Sequence, residues 1–554
     1  MAFGASGKSA AYHYLVEFVL DATTLRYADE DLSVQETNTV GNFYSGRLPG
    51  SGTLIRDLGT FLEPHEAIQN FDVQVDNSDG EMAQLIRVDK LKFANRKVRM
   101  WLGEGTKKSD YSEVFTGFVA HPNGISWDED WASFTVIDQR VRHRRTLPAN
   151  RFLVANYVNL EPKAVNQPIP IVYGDWGLSA GSGNGSISIP AICTNMLASQ
   201  KMFKVCNHGL KSITRVLKNA VALNLATQVS NICLTDGTFE IVAAVAYSST
   251  TDTISVNCQG TQTINGTLIE KPMDVLRNLQ TSWLSLTATD LNVTAYADVN
   301  THTDAELTRR YIAAEVSSEI AIKELLNESQ TDMRFVGGKY SPKWRDLDVD
   351  ASRKDFREHD ILLQDEGSEK ADFSVVQDPD RMYANKIRSR YRYDSINALY
   401  DGSYTRQVTL AVSEVSAVVE RAMDFNWYYR KTDTENRVDR ELATFTKETT
   451  NIRAGLGLRA LTLNLADQID LTYDVFTDNP VQIRRMEVDL GQMTTRISGF
   501  NLFMFGMGRW TAAGAPAWNS ADLEERASQG FWCSTTGFAS ASDTTSQNIS
   551  RWGY

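Results

Sequence analysis

The sequence predicts a mainly β, multidomain chain with a few helices, an α+β architecture built from sandwich or barrel units. Three observations lead there. At 554 residues the chain exceeds one hydrophobic core and suits three or four domains of roughly 150 residues. Short β-branched and aromatic runs, several of them alternating, recur between clusters of Gly, Pro, Asn and Asp. Only a few stretches carry apolar residues at helical spacing.

Taken in order, residues 1–155 read as a first β-domain. Tyr14–Leu20, Phe71–Val75, Val98–Leu102, Val114–Val119 and Ala132–Ile137 are its strands. Tyr44–Gly52 is glycine-rich and reads as a loop, and Asp79-Gly80 and Trp127–Trp131 read as turns. Residues 156–300 form a second β-domain. Pro168 and Pro170 force an extended entry to a short strand, Ile171–Tyr173, that stops at Gly174. A Gly181–Gly185 loop follows, then strand-like runs at Phe239–Tyr247 and Thr253–Val256. Pro272 opens a helix near 272–285 with apolar Val275, Leu276, Leu279 and Trp283.

Residues 301–435 read as a helix plus β-hairpin domain. Ile312, Val316, Ile320, Leu325 and Leu326 predict one amphipathic helix from about Thr308 to Asn327. Met333 and Phe335 then begin a hairpin turned by Gly337-Gly338. Further strands are expected at Ser368–Val376, Lys386–Tyr393 and Gln407–Val412, the last on clear alternation. Residues 436–505 read as a helix at Val438–Thr450 and a small barrel-like unit with strands Leu461–Leu465, Gln468–Leu471, Gln482–Asp489 and Thr494–Phe505. The turn Asp478-Asn-Pro480 divides them. Residues 506–554 change composition to Gly, Ala, Ser and Thr with Trp510, Trp518, Trp532 and Trp552 widely spaced. They read as an arm anchored by tryptophan, either on a neighbour or as a lid on the chain's own domains.

Composition excludes several classes. Hydrophobic residues at 42% and charged ones at 23% are ordinary for a globular protein. A formal charge of −13 argues against general nucleic-acid binding and suits a wall that DNA slides past. No apolar run is long enough to span a bilayer, and the N-terminus lacks the pattern of a secretory signal. The five cysteines form no CxxC pair and match neither a zinc site nor a disulfide framework.

No catalytic motif stands up. Gly4–Ser9 lacks the strand that a phosphate loop needs. Asp72–Glu81 fails the EF-hand spacing and reads as a hairpin turn. The seven histidines never occur as HxH, HxxxH or HExxH, and no GxSxG elbow occurs. The expectation is therefore no enzyme, no cofactor and no metal. Asp138–Arg145 is the one dense basic stretch. Its Arg140, Arg142, Arg144 and Arg145 either grip an acidic partner or DNA phosphates, or lie on an edge strand whose arginines face solvent and local carboxylates.

The module of a helix ending KELL, a strand, Gly-Gly-Lys-Tyr and a second strand resembles one in the hub and tip proteins of long-tailed bacteriophages. Pro168–Gly174 (PIPIVYG) and the Pro272 helix resemble further strings of that family, in the family's order. A terminal barrel follows, with Ala466-Asp467 where the family has Gly-Asp. The resemblance implies tube-like β-sandwich or barrel domains of a structural virion protein at the baseplate or tail tip, made in the bacterial cytoplasm. It implies a homotrimeric ring that joins the tail tube to central or receptor-binding components and closes the channel until DNA ejection during host attachment. Implied partners are the distal tail protein, the tape measure and a central fibre or receptor-binding protein, with DNA only in transit and no stable membrane insertion. Two other readings stay open: a ring-forming distal tail protein or tail-associated cell-wall hydrolase, and a carbohydrate-binding adhesin using the tryptophan-rich end.

Overall fold

The computed structural model describes residues 12–502 apart from 38–39, 50–52, 60–63, 68–69, 178–186, 346–352, 365–369, 378–382, 447–449, 475 and 491–493. Beyond 502 it describes only the backbone of four short strands. The chain is mostly strand, in several sheets around several cores.

The five strands expected in the first section form, as His13–Val19, Asn70–Asp76, Lys97–Gly103, Tyr111–Val119 and Trp131–Asp138. They share one nine-stranded sheet with strands the alternation rule missed, Thr24–Ala28, Leu32–Thr37 and Val40–Gly46. The last of these takes in Tyr44–Gly46, which was expected in a loop. Trp131–Asp138 alternates strictly between buried and half-buried positions. Its Phe134 meets Phe18 and Phe93 at centroid distances of 4.8 and 5.0 Å, pairs that add about 0.5–1.5 kcal/mol each beyond their buried area. Asp76–Glu81 is a strand end and a left-handed turn at Gly80 that starts the helix Glu81–Arg87, so the segment is not a hairpin.

Residues 187–260 fold into two four-stranded sheets packed over Phe203, Val205, Phe239, Val256 and the buried thiols of Cys193, Cys206 and Cys258. The expected strand over 239–247 is shorter, Thr238–Ile241. The Gly181–Gly185 loop lies outside the described residues.

The helix expected from 308 begins only at Ser318 and runs to Glu328. Ile312 belongs to a strand, Arg310–Ile312, that pairs antiparallel with Ile171–Tyr173, and Val316 to a second, paired with Leu147. Two short strands had mimicked a helical face. Ile320 is exposed, and Ala321, Ile322, Leu325 and Leu326 are the buried positions. The Gly337-Gly338 hairpin forms as expected, Thr331–Val336 against Lys339–Trp344, with φ of 57° and 72° at the two glycines. Two positive φ values are what a two-residue primed turn requires. The Pro272 helix runs to Asn278 and continues through a wider turn, Leu279–Trp283.

Three expectations downstream fail. Gln407–Val412 is not a strand: the strand Leu399–Gln407 ends there and Thr409–Val415 is helical. Leu461–Leu465 is a tight turn after Gly457 rather than a strand. Asp478-Asn-Pro480 does not divide strands; Phe476–Asp489 runs through it, and the chain reverses just before Phe476, where Asp474 takes a positive φ. The helix expected at Val438–Thr450 is shifted to Lys431–Phe445 and covers a three-stranded sheet of Lys386–Asp394, Leu399–Gln407 and Glu420–Asp424.

The final seven-stranded sheet draws on distant sequence. Lys354–Phe356 and Phe373–Gln377 form its ends, and Thr53–Asp57 pairs along Phe476–Asp489. Leu461, Val488 and Leu490 in turn pack into the core of the first sheet.

Candidate functional site

The groups that could carry function are buried charges at the places where these units meet. In the hairpin strand Thr331–Val336, Asp332 and Arg334 fall on one face. Asp332 is fully buried and receives Arg345 at 3.0 Å and Arg484 at 2.6 Å, from the other hairpin strand's end and from the seven-stranded sheet. Burial opposes its charge, yet the two guanidinium groups hold its pKa below the ordinary aspartate value.

A second cluster sits across the same hairpin. Glu66 accepts from Arg56 Nε at 3.1 Å and from the Phe335 backbone N–H at 2.8 Å, while Arg56 Nη2 donates to the Phe335 carbonyl at 3.0 Å. Arg140 is part of it. Its Nε donates to Asp138 at 2.8 Å, Nη1 to the Glu66 carbonyl at 2.9 Å, and its guanidinium lies over the Phe335 ring.

The third cluster fastens the three-stranded unit to the body. Glu328 ends its helix with the carboxylate buried, and the backbone N–H groups of Asn426, Trp427 and Tyr428 donate to it at 2.7, 2.9 and 3.0 Å. Desolvation outweighs those donors and pushes its pKa up to about 8. Beside it Glu306 binds the Tyr428 hydroxyl and Arg440, and Arg437 binds Glu441. Arg309 is buried with its guanidinium 4.8 Å from the Trp176 ring and 4.7 Å from that of Tyr429, linking the 187–260 unit to the same place.

Each carboxylate of these three clusters is engaged by arginine or backbone N–H. A cavity of about 30 Å³ is lined by His65, His143, Arg144, Gln280, Glu319 and Tyr340, room for about one water molecule. Burial pushes the His65 imidazole down to about 4, and its Nδ1 lies 2.9 Å from the Glu66 carbonyl; His143 Nδ1 lies 3.0 Å from the Tyr340 hydroxyl. Among the described residues no group of three His, Cys, Asp or Glu side chains is placed to hold a metal ion.

The basic segment is not an edge strand. Asp138 caps a short turn, Gln139–His143, by accepting from the Arg140 N–H at 2.8 Å. Arg140 is buried, Arg142 donates to the Asn95 carbonyl at 2.9 Å and lies over Phe118, and Arg144 pairs with Glu319 at 3.0 Å. Arg145 is exposed, and its backbone N–H donates to Ser318 Oγ. Only Arg142, Arg144 and Arg145 therefore reach solvent. Of the tryptophans, Trp510, Trp532 and Trp552 lie on the short terminal strands, where Trp532 and Trp552 are backbone partners, and Trp518 lies outside the described residues.

Sequence reasoning missed Glu66, Glu328, Asp332, Arg345 and Arg484. The signal for Asp332 was present: a charged residue alternating with apolar ones inside a hairpin strand whose faces are both covered.

No protein-family model and no curated protein matches the chain. Among solved structures it is similar to a chain of the virion of a native gene transfer agent particle (10% identity, TM-score 0.37, covering 60% of this chain and 84% of that one). It is similar to the tail protein from Neisseria meningitidis MC58 (7%, 0.37, 89% and 98%). A third is the 43 kDa tail protein of prophage MuSo2 from Shewanella oneidensis (9%, 0.34, 90% and 100%).

Proposed function

We propose that this chain is a structural component of a bacteriophage tail, the hub at its distal end. In this reading a ring of three copies joins the tail tube to central or receptor-binding components and closes the channel until DNA is released. The observation that carries it is the convergence of the family-like strings on one core. Ile171 and Tyr173 of PIPIVYG, Met273 and Leu276 of the Pro272 helix, Leu325 and Leu326 of KELL, and Phe335 and Tyr340 of the hairpin pack together. Strings that are scattered in sequence are thus one physical unit.

Two further features support the reading. Buried ion pairs at the unit boundaries penalise any change of registry, since exposing or separating one partner leaves a charge uncompensated; that suits a body bearing mechanical load. The net charge of −13 gives DNA little to adhere to in transit.

Native mass measurement, followed by symmetry-resolved imaging of virion tips, tests this. A three-copy assembly located at the tail end is expected. A chain that stays monomeric at all concentrations and is missing from the tip would overturn it, and hydrolysis of peptidoglycan by the purified protein would favour a wall-degrading enzyme instead.

A further inference from the structure

His65 and His143 are far apart in sequence and line one cavity of about 30 Å³. His65 sits in the middle of a splice. The Met333 N–H donates to the Pro64 carbonyl at 2.6 Å and the Glu66 N–H to the Met333 carbonyl at 3.0 Å, so residues 64–66 lie as a short parallel rung along the hairpin strand Thr331–Val336. His143 ends the basic turn and reaches the same hairpin, its Nδ1 3.0 Å from the Tyr340 hydroxyl.

The Glu66 carbonyl beside His65 Nδ1 can only accept, so that nitrogen carries the hydrogen and a second proton must go to Nε2. Among the described residues neither His65 Nε2 nor His143 Nε2 has a hydrogen-bond partner. A charged ring would also find no free counter-ion. The basic turn turns Arg140 and Arg144 toward His65, whose own segment supplies Glu66; the helix Ser318–Glu328 brings Glu319 to the cavity. Arg142 and Arg145 act on His143 together with Asp138 and Asp290. Each of these carboxylates is already engaged: Glu66 by Arg56, Asp138 by Arg140, Glu319 by Arg144, and Asp290 by the Thr287 N–H and hydroxyl.

We propose that His65 and His143 form an acid-sensitive joint: once their rings are protonated, residues 64–66 part from the hairpin, and the nine-stranded sheet loosens from the core behind it. This rests on the cavity and its surrounding charges and not on the hub reading. Burial lowers the pKa of both rings, so the parted segment binds protons that the joined one refuses. The joint is intact above about 6.5 and weakens as pH falls toward 4.

Hydrogen exchange on the full chain at pH 7 and pH 5, corrected for the intrinsic rate at each, tests it. Peptides holding the Glu66, Met333 and Phe335 amides should exchange at least fivefold faster at pH 5; a shift from 6.5 to about 4 at His65 alone corresponds to roughly 20-fold. Peptides from Trp131–Asp138 should not change. In the double variant His65→Gln/His143→Gln the corrected rates should agree at the two pH values. A second measurement needs no variant: exchange of the imidazole C2 hydrogens, followed by mass spectrometry, should give His65 a midpoint below that of a histidine peptide, about 6.5. Exchange unaltered at pH 5 in the parent, acceleration that persists in the double variant, or a His65 midpoint equal to the peptide's would each overturn the proposal.

Discussion

The nine-stranded sheet and the joints between units are held by opposite means. Around Phe18, Phe93 and Phe134 the first packs apolar side chains against one another, whereas Asp332, Arg345 and Arg484 meet at a boundary with all three buried. An apolar core is stabilised by area removed from water and tolerates repacking. A buried ion pair adds little net stability but is costly to break by halves. The first therefore makes a unit fold, and the second fixes how units sit against one another.

That contrast can be broken most sharply at Asp332. Replacing it with Ala strands two buried guanidinium groups and should cost about 3–5 kcal/mol in urea unfolding, as much as Phe134→Ala in the apolar core. The two should separate on repair. Leu at 332 with Met at 345 and 484 should recover most of the loss, whereas no second substitution around Phe134 is expected to do so without refilling its volume. Failure of the triple variant to recover would show that the boundary depends on charge itself.

A smaller effect comes from pH, and here two buried carboxylates differ in sign. Glu328 ionises near 4.5 when unfolded and near 8 in the fold, so between those values the folded chain keeps a proton that the unfolded chain has released. Its contribution to stability is complete below about 4.5 and is lost as pH rises through about 8. Asp332, with its pKa lowered from 3.8, contributes above that value and loses its contribution as pH falls below it. Urea midpoints measured from pH 5 to 9 should decline more steeply for the parent than for Glu328→Gln, which keeps a carbonyl acceptor but cannot titrate. Parallel curves would remove Glu328 from the account.

The smallest effect is expected at the surface. Arg144→Glu with Arg145→Glu disturbs one exposed ion pair and should change the isolated protein's stability by less than about 1 kcal/mol. If the segment binds a partner, the pair should instead block particle assembly; normal particles would end that reading of the basic segment.

The same contrast explains what could be read from sequence. Strands such as Trp131–Asp138 declare themselves because burial alternates with the pleat. The Gly337-Gly338 hairpin was equally legible, since its turn needs residues that accept positive φ. Failures came where a period was sampled too briefly. Ile312 and Val316 sit four apart in two separate short strands, and Gln407–Val412 straddles a strand end and a helix start. The joints were opaque for another reason: Asp, Glu and Arg are the residue types of a solvated surface. Only three-dimensional pairing distinguishes Arg140, a bolt in the interior, from its neighbour Arg144.

The strand Thr53–Asp57 has a consequence for how the molecule is made. Its Asp57 meets Arg485, 428 positions later in the chain, so the last sheet cannot close until the strand Phe476–Asp489 has been made. A polypeptide interrupted before that point keeps an early strand waiting with its edges bare, open to proteases and chaperones.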